Sequence, residues 1–275
     1  MKTHKFTSFN KKFLTFLLLS IESAKHKINF LPMLVASSLL FFFLTNPSHG
    51  LMALPESISK IKKEKSVAKV FSHDDKPKLI YFFEREQETK DSQQAVTAVF
   101  KTPDKESRVI VKENILYNDG KLSRYSMDHY QVNETMKVEI KNNKIYFEHT
   151  HDDKTDREVE DLEENTILAD QIYPFLIQHW EQLMKGETIS CRFIVPERAE
   201  TVGFKFFKEE EKTLNGKPVV IIKMKASSFV IALLAKTILF TIDKSTKTLT
   251  AIDGRLPPKV KNGSSWDPLF AKLVF

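Results

Sequence analysis

From residue 78 onward, short runs rich in β-branched and aromatic residues follow one another between polar breaks. Leu79–Glu86, Ala95–Lys101 and Arg108–Glu113 are the first three, and each predicts a strand. Asn118-Asp119-Gly120 predicts a tight turn, because Asp-Gly suits positions that need positive φ, and Lys121–Val132 is the return strand. Thr135–Lys141 and Lys144–His151 flank Asn142-Asn143. Val138 and Ile140 alternate with charged neighbours there, and Ile145 and Phe147 alternate with Tyr146 and Glu148, which predicts an antiparallel hairpin with a polar outer face. The acidic stretch 152–165 predicts a solvated loop.

The period then changes. Tyr173, Leu176, Ile177, Trp180, Leu183 and Met184 follow the spacing of one buried helical face, with Gln178, Glu181, Gln182 and Lys185 opposite. Pro174 suits a first turn and Gly186 the position just past a helix end, which predicts a helix over 174–185. Period two resumes at Thr188–Val195, where Ile189, Cys191, Phe193 and Val195 share a face, and continues through Val202–Lys212. Asn215-Gly216 turns the chain into Val219–Lys225. The short apolar run Phe229–Ala235 follows, then a hairpin of Ile238–Asp243 with Thr248–Asp253, then the tail WDPLFAKLVF.

Ten or eleven strands joined by tight turns, with one helix two-thirds along, predict antiparallel meanders rather than parallel βαβ units. The fold expected is mainly β (α+β): an antiparallel half-barrel sheet with one main helix packed on its concave face, preceded by an N-terminal signal or anchor helix. Residues 78–275 form the expected domain, 54–77 a polar Lys-rich linker, and 1–53 the signal peptide or membrane anchor.

Composition changes the picture at the N-terminus. The 275 residues carry a formal charge of +6, yet residues 1–50 hold six lysines and one acid, Glu22. The rest has 36 basic and 35 acidic residues, so the basic balance belongs to the leader and gives no case for nucleic acid as a partner. Two apolar runs, Phe13–Ile21 and Ile28–Thr45, occupy the leader. Lys25 and Lys27 precede the second run, and Ser48, Gly50 and Ala53 offer small residues for cleavage. The second run is also long enough to span a bilayer as a retained anchor. The expected location is periplasmic or otherwise exported. Residues 1–53 contain no cysteine, which excludes lipid attachment by the bacterial lipoprotein route. Cys191 is the only cysteine, so no internal disulfide forms.

Beyond these patterns, the signal, the meander, a helix of the type YPFLIQHWEQLMKG and a second meander resemble bacterial exported envelope proteins of uncharacterised function. Their half-barrel sheet is similar to the periplasmic lipoprotein-carrier fold. Ile172–Gly186, Phe204–Phe207 with the Asn215-Gly216 hairpin, the Phe240–Gly254 hairpin and the tail WDPLFAKLVF carry the resemblance. It implies a non-catalytic protein without cofactors. The partners it implies are a lipid or acyl-chain ligand held in an apolar cavity, or other envelope proteins for which it is a scaffold.

Candidate chemistry is sparse. Phe175, Leu176, His179, Trp180, Leu183 and Phe229 are the candidate lining of a ligand cavity, or the core if the helix plugs the sheet. His149 and His151, two apart on one strand, face the same side as a metal pair would, with Asp153 nearby as a third ligand; a metal-dependent envelope enzyme is the alternative. Asp128-His129 with Ser123, Ser126 or Ser190 is a weaker hydrolytic set, since no nucleophile elbow accompanies it. Alternate apolar residues Leu269, Ala271, Leu273 and Phe275 also resemble the closing strand of an outer-membrane-associated β protein, against which the helix and the lysines on strand faces weigh.

Overall fold

Asp119-Gly120, Asn142-Asn143, Asp152-Asp153 and Asn215-Gly216 each place two consecutive residues at positive φ, and each joins two adjacent antiparallel strands. Such pairs match the twist of the strands they connect, and Asn, Asp and Gly tolerate the conformation best. The computed structural model describes residues 61–228 and 237–275, all within one unit, Glu56–Phe275.

Among the described residues, fifteen strands form one sheet. β1 is Lys62–Phe71, β2 Leu79–Lys90, β3 Gln93–Lys101, β4 Val109–Asn118, β5 Lys121–His129, β6 Glu134–Lys141, β7 Lys144–His151 and β8 Lys154–Asp161. β9 is Thr166–Ile167, β10 Ile189–Val195, β11 Glu200–Leu214, β12 Lys217–Ala226, β13 Ile238–Asp243, β14 Leu249–Asn262 and β15 Ser265–Val274. Their order runs from β8 back to β1, then β15 back to β9. Two sequential meanders therefore meet at one seam, where Lys69, Val70 and Phe71 pair with Val274, Leu273 and Lys272. All neighbours are antiparallel except β9 with β10.

The expectation of a mainly β, antiparallel chain with one main helical segment holds, with more strands than the ten or eleven read from the pattern. Two stretches are corrected. Lys62–Phe71 lies in the expected linker but is β1, paired with β2 along its whole length. Its first four residues are exposed and only Ala68 and Val70 are buried, so polar side chains hide the strand period. Residues 152–165 are likewise not a loop throughout: Asp152-Asp153 is a hairpin turn and Lys154–Asp161 is the edge strand β8. An edge strand carrying charge along almost its full length is a common guard against pairing with another chain.

The helical segment also departs from a single helix over 174–185. A 3-10 turn at Ala169–Gln171 leads into α1, Ile172–Gln178, which breaks at His179 before α2, Trp180–Met184. Ile172, Phe175, Leu176, Trp180 and Leu183 are its buried residues, whereas Tyr173 is exposed and its hydroxyl donates to the Lys247 carbonyl at 2.9 Å. Gly186, at φ +85°, ends the segment in the left-handed conformation that favours glycine. The Lys208 ammonium donates to the carbonyl of Met184 at 3.0 Å, supplying positive charge to the helix end.

One face of the sheet carries the core in two clusters. Val70, Phe100, Val111, Tyr125, Met136 and Phe147 belong to the first, beneath β1 to β7 and β14 to β15. Phe206, Val220, Ile222, Phe240 and Ile242 belong to the second, and against them pack Leu176, Trp180 and Leu183. Ile252 packs against both. The sheet curls, and side chains rather than a ladder link β8 to β11: Glu160 accepts from the Thr201 N–H and from its Oγ1 at 2.5 Å. Arg192 donates to Thr201 Oγ1 at 2.6 Å and to its carbonyl at 3.0 Å.

Where β13 crosses β14 the backbones come close. A Cβ at Gly254 would stand 2.9 Å from Ile238 Cγ1 and 3.1 Å from its Cα. Gly254→Ala is therefore expected to cost about 1–3 kcal/mol by overpacking. A lower urea midpoint with an unchanged denaturant slope would show it; an unshifted midpoint would contradict the close approach.

The expected N-terminal signal or anchor helix, the first residues of the linker and Phe229 lie outside the described residues.

Candidate functional site

Two kinds of surface meet under the helical segment. The first is an apolar bed. Ile189 and Cys191 from β10, Phe206 from β11, Val220, Ile222 and Met224 from β12, and Phe240 and Ile242 from β13 all point to one side because strand alternation puts every second residue there. The rings stack in sequence: Phe175 to Phe206 at 5.8 Å between centroids, and Phe206 to Phe240 at 6.2 Å. Burial pushes the Cys191 thiol up to about 12, so it behaves as a small apolar side chain rather than a nucleophile.

The second is a polar cluster that secures the start of the segment. Asp170, in the 3-10 turn before α1, receives Arg85 Nε at 2.6 Å and Arg85 Nη2 at 2.9 Å. Tyr117 donates its hydroxyl to Asp170 Oδ2 at 3.1 Å, and Arg85 also donates to Gln87 Oε1 at 3.0 Å. Burial opposes the Arg85 charge, but the hydrogen bonds and charge of Asp170 outweigh it and raise its pKa. Burial, with Asp170 beside it, also raises the Tyr117 phenol, so that group stays a neutral donor.

Two strands over from Arg85 lies Glu113, which accepts the Tyr125 hydroxyl at 2.9 Å. Burial pushes the Glu113 carboxyl up to about 7, with the negative charge of Asp170 acting in the same direction; the Tyr125 hydrogen bond opposes both. Burial and Glu113 raise the Tyr125 phenol as well. Strand register explains the grouping. Arg85 faces Ala98, Ala98 faces Glu113, and Glu113 faces Met127, so these residues form one inward-facing row across β2 to β5.

Of the candidate cavity residues, Phe175, Leu176, Trp180 and Leu183 share the buried face, and His179 sits at the break between α1 and α2. The His179 ring lies 4.6 Å from that of Phe175, and its Nδ1 is 2.6 Å from Gln182 Oε1. Lys247 Nζ lies over the Trp180 ring at 5.7 Å.

The other candidates are placed differently. The His149 and His151 rings lie side by side, 4.7 Å apart. His149 Nε2 faces Glu134 Oε2 at 3.6 Å, and His151 Nδ1 faces Asp156 Oδ2 at 3.9 Å, while Asp153 occupies the hairpin turn. Among the described residues, no three His, Cys, Asp or Glu side chains converge as metal ligands would. Alternation also separates the hydrolytic set, because Ser126 and Asp128 point away from His129 across β5. His129 is buried and donates from Nε2 to the Pro257 carbonyl at 3.1 Å, and burial lowers its pKa.

Two surface depressions lie among the described residues. One, of ≈ 820 Å³, runs over the outer face of β3 to β8, along Thr97, Asn114, Arg124, Lys137, Tyr146 and Arg157. Glu148 holds Lys137 and Arg157 there, each at 2.9 Å. The other, of ≈ 720 Å³, adjoins the end of β1 beside His73, which is 3.0 Å from Asp253. Neither of the two lies between the helical segment and the sheet.

No family model matches the chain, and no curated protein matches it. A solved structure that matches is the crystal structure of a β-barrel-like protein of domain of unknown function DUF1849 from Brucella abortus. It is 7% identical, covers 76% of this chain and 94% of that one, and aligns with a TM-score of 0.38.

The polar cluster is what the pattern reading misses. A signal for it exists: Glu113 occupies an inward position between Val111 and Ile115, where alternation calls for an apolar residue.

Proposed function

We propose that this protein is a non-catalytic, exported envelope protein that binds an apolar, acyl-chain-like ligand between its helical segment and the sheet. The observation that carries the proposal is the apolar bed under α1 and α2, where Phe206, Val220, Ile222, Phe240 and Ile242 are buried against Leu176, Trp180 and Leu183. A segment of two short helices interrupted at His179 covers this bed. Each methylene of a ligand taken up there gains roughly 0.8 kcal/mol by leaving water, which offsets the displacement of Phe175, Leu176 and Leu183. The leader of residues 1–53, with its two apolar runs, supports export to the periplasm or retention at the membrane.

A scaffold role without a ligand is the second reading. The complete burial of Leu176, Leu183 and Phe206 favours it, since the bed is filled as it stands.

Fluorescence separates the two. With Trp266→Phe removing the other tryptophan, Trp180 alone reports on the bed. Titration of the purified protein with a long-chain fatty acid is expected to give a saturable change in Trp180 emission, and native mass spectrometry a co-purified lipid. Unchanged emission together with lipid-free mass spectra would leave the scaffold reading standing and remove the carrier.

A further inference from the structure

We propose that Lys247 holds the head of the ligand: the acyl chain lies on the apolar bed, and its anionic head pairs with the Lys247 ammonium at the rim beside Trp180. The inference rests on the carrier reading above and narrows its ligand to a long-chain carboxylate.

The rim is the turn between β13 and β14. Asp243 Oδ1 accepts from the N–H groups of Ser245 and Thr246, each at 2.9 Å, and the Asp243 N–H donates to the Thr248 carbonyl at 2.9 Å. Inside this closed turn Lys247 stands at φ +57°, a conformation that Gly or Asn adopts at less cost. A lysine held there against its backbone preference points to a use for its side chain. The Lys247 carbonyl accepts the Tyr173 hydroxyl at 2.9 Å, which fixes the turn against α1. Its ammonium reaches α2, where Nζ lies 5.7 Å from the centre of the Trp180 ring. Trp180 is 5% exposed and belongs to the bed, so this one side chain borders both the apolar enclosure and a cation.

That juxtaposition suits an amphiphile, whose tail gains by leaving water while its head needs a partner of opposite charge. Glu181 now stands where the head would. Its Oε1 is 3.6 Å from Lys247 Nζ, beyond direct hydrogen-bond distance, and its side chain is 79% exposed. An exposed ion pair this loose contributes little and gives way readily to another carboxylate. The neighbouring lysines are more firmly engaged. Lys244 of the same turn is paired with Glu211, and Lys208 donates both to Glu211 and to the Met184 carbonyl. Of these three cations beside the helical segment, Lys247 has the loosest partner.

Equilibrium dialysis of the full chain at about pH 8, where lysine and a fatty acid are both charged, compares the acid with the alcohol of equal chain length. The acid is expected to bind about fivefold more tightly, the range of an exposed to half-exposed ion pair. Lys247→Asn suits the left-handed backbone and keeps the carbonyl for Tyr173; it is expected to bring the acid down to the affinity of the alcohol. Lys247→Arg is expected to keep the preference, and Glu181→Gln, which removes the competing carboxylate, to widen it. Equal binding of acid and alcohol by the wild-type protein would overturn the head-group assignment while leaving the carrier reading in place. A preference that survives in Lys247→Asn would overturn it as well. Absence of binding by either compound would remove both readings. Should Lys247→Asn fail to fold, Glu181→Gln decides in its place, and an unchanged preference in that variant counts against Lys247.

Discussion

Phe206→Ala is expected to destabilise the protein by about 3–5 kcal/mol, the largest loss for any single side chain named above. Phe206 is 0% exposed and pairs with Ile189 on one side and Met224 on the other. Its ring joins Phe175 of the helical segment to Phe240 of β13, so truncation opens a cavity in a bed lined by rigid strands. Rigid surroundings collapse little, which places the cost at the high end of the usual range. Phe207, the next residue, faces the other side, where Lys223 Nζ lies 5.9 Å from its ring. Phe207→Ala is expected to cost about 1 kcal/mol or less. Thermal melts of both variants check the contrast: a fall of roughly 6–20 °C for Phe206→Ala and a few degrees at most for Phe207→Ala. Equal falls would mean that the two faces of β11 are not as different as their burial indicates.

The second large effect concerns Asp170→Ala. The substitution leaves the Arg85 guanidinium and the Tyr117 hydroxyl without the acceptor they share, at a site where Arg85 is 24% and Asp170 14% exposed. Breaking one side of a fully buried pair costs about 3–5 kcal/mol; with this remaining exposure, about 2–3 kcal/mol is expected. Much of that is the penalty on the stranded guanidinium rather than the worth of the pair. Arg85→Leu combined with Asp170→Leu is accordingly expected to recover most of the loss. A double-mutant cycle by urea unfolding measures the coupling, and a value near zero would show that the two side chains do not act together.

The sheet was legible wherever one face of a strand is covered and the other is wet. β3, β6 and β7 alternate cleanly, and Asp-Gly, Asn-Asn and Asn-Gly mark their turns or those of their neighbours. β1 and β8 were not legible, because a strand exposed on both faces along much of its length has no period to read. The helix was legible as a stripe, but its break at His179 was not, and the stripe was rotated. Tyr173 lies outside because its hydroxyl finds the Lys247 carbonyl, and Ile172 and Phe175 take the buried positions instead. The pairing of Arg85 with Asp170 spans 85 residues, and local patterning carries no information at that distance. Glu113 was the exception: a charge at an inward strand position signals by itself that something unusual is enclosed there.

The seam between β1 and β15 sets how this sheet must assemble. Every other antiparallel pair joins strands that are neighbours along the chain, so each meander zips by adding one hairpin at a time. Such local contacts form quickly and cost little closure entropy. The seam alone brings together segments separated by roughly 200 residues, at an entropic cost of ~5 kcal/mol if the intervening chain were free. Its three residue pairs could not carry that cost by themselves. Two preformed meanders shorten the search, and the contacts that cross between them share the load. Asp170 on Arg85, Glu160 on Thr201 and Lys259 on Glu134 are such ties. This topology makes the docking of two already shaped halves the expected last step of folding, with the helical segment brought in as part of the second.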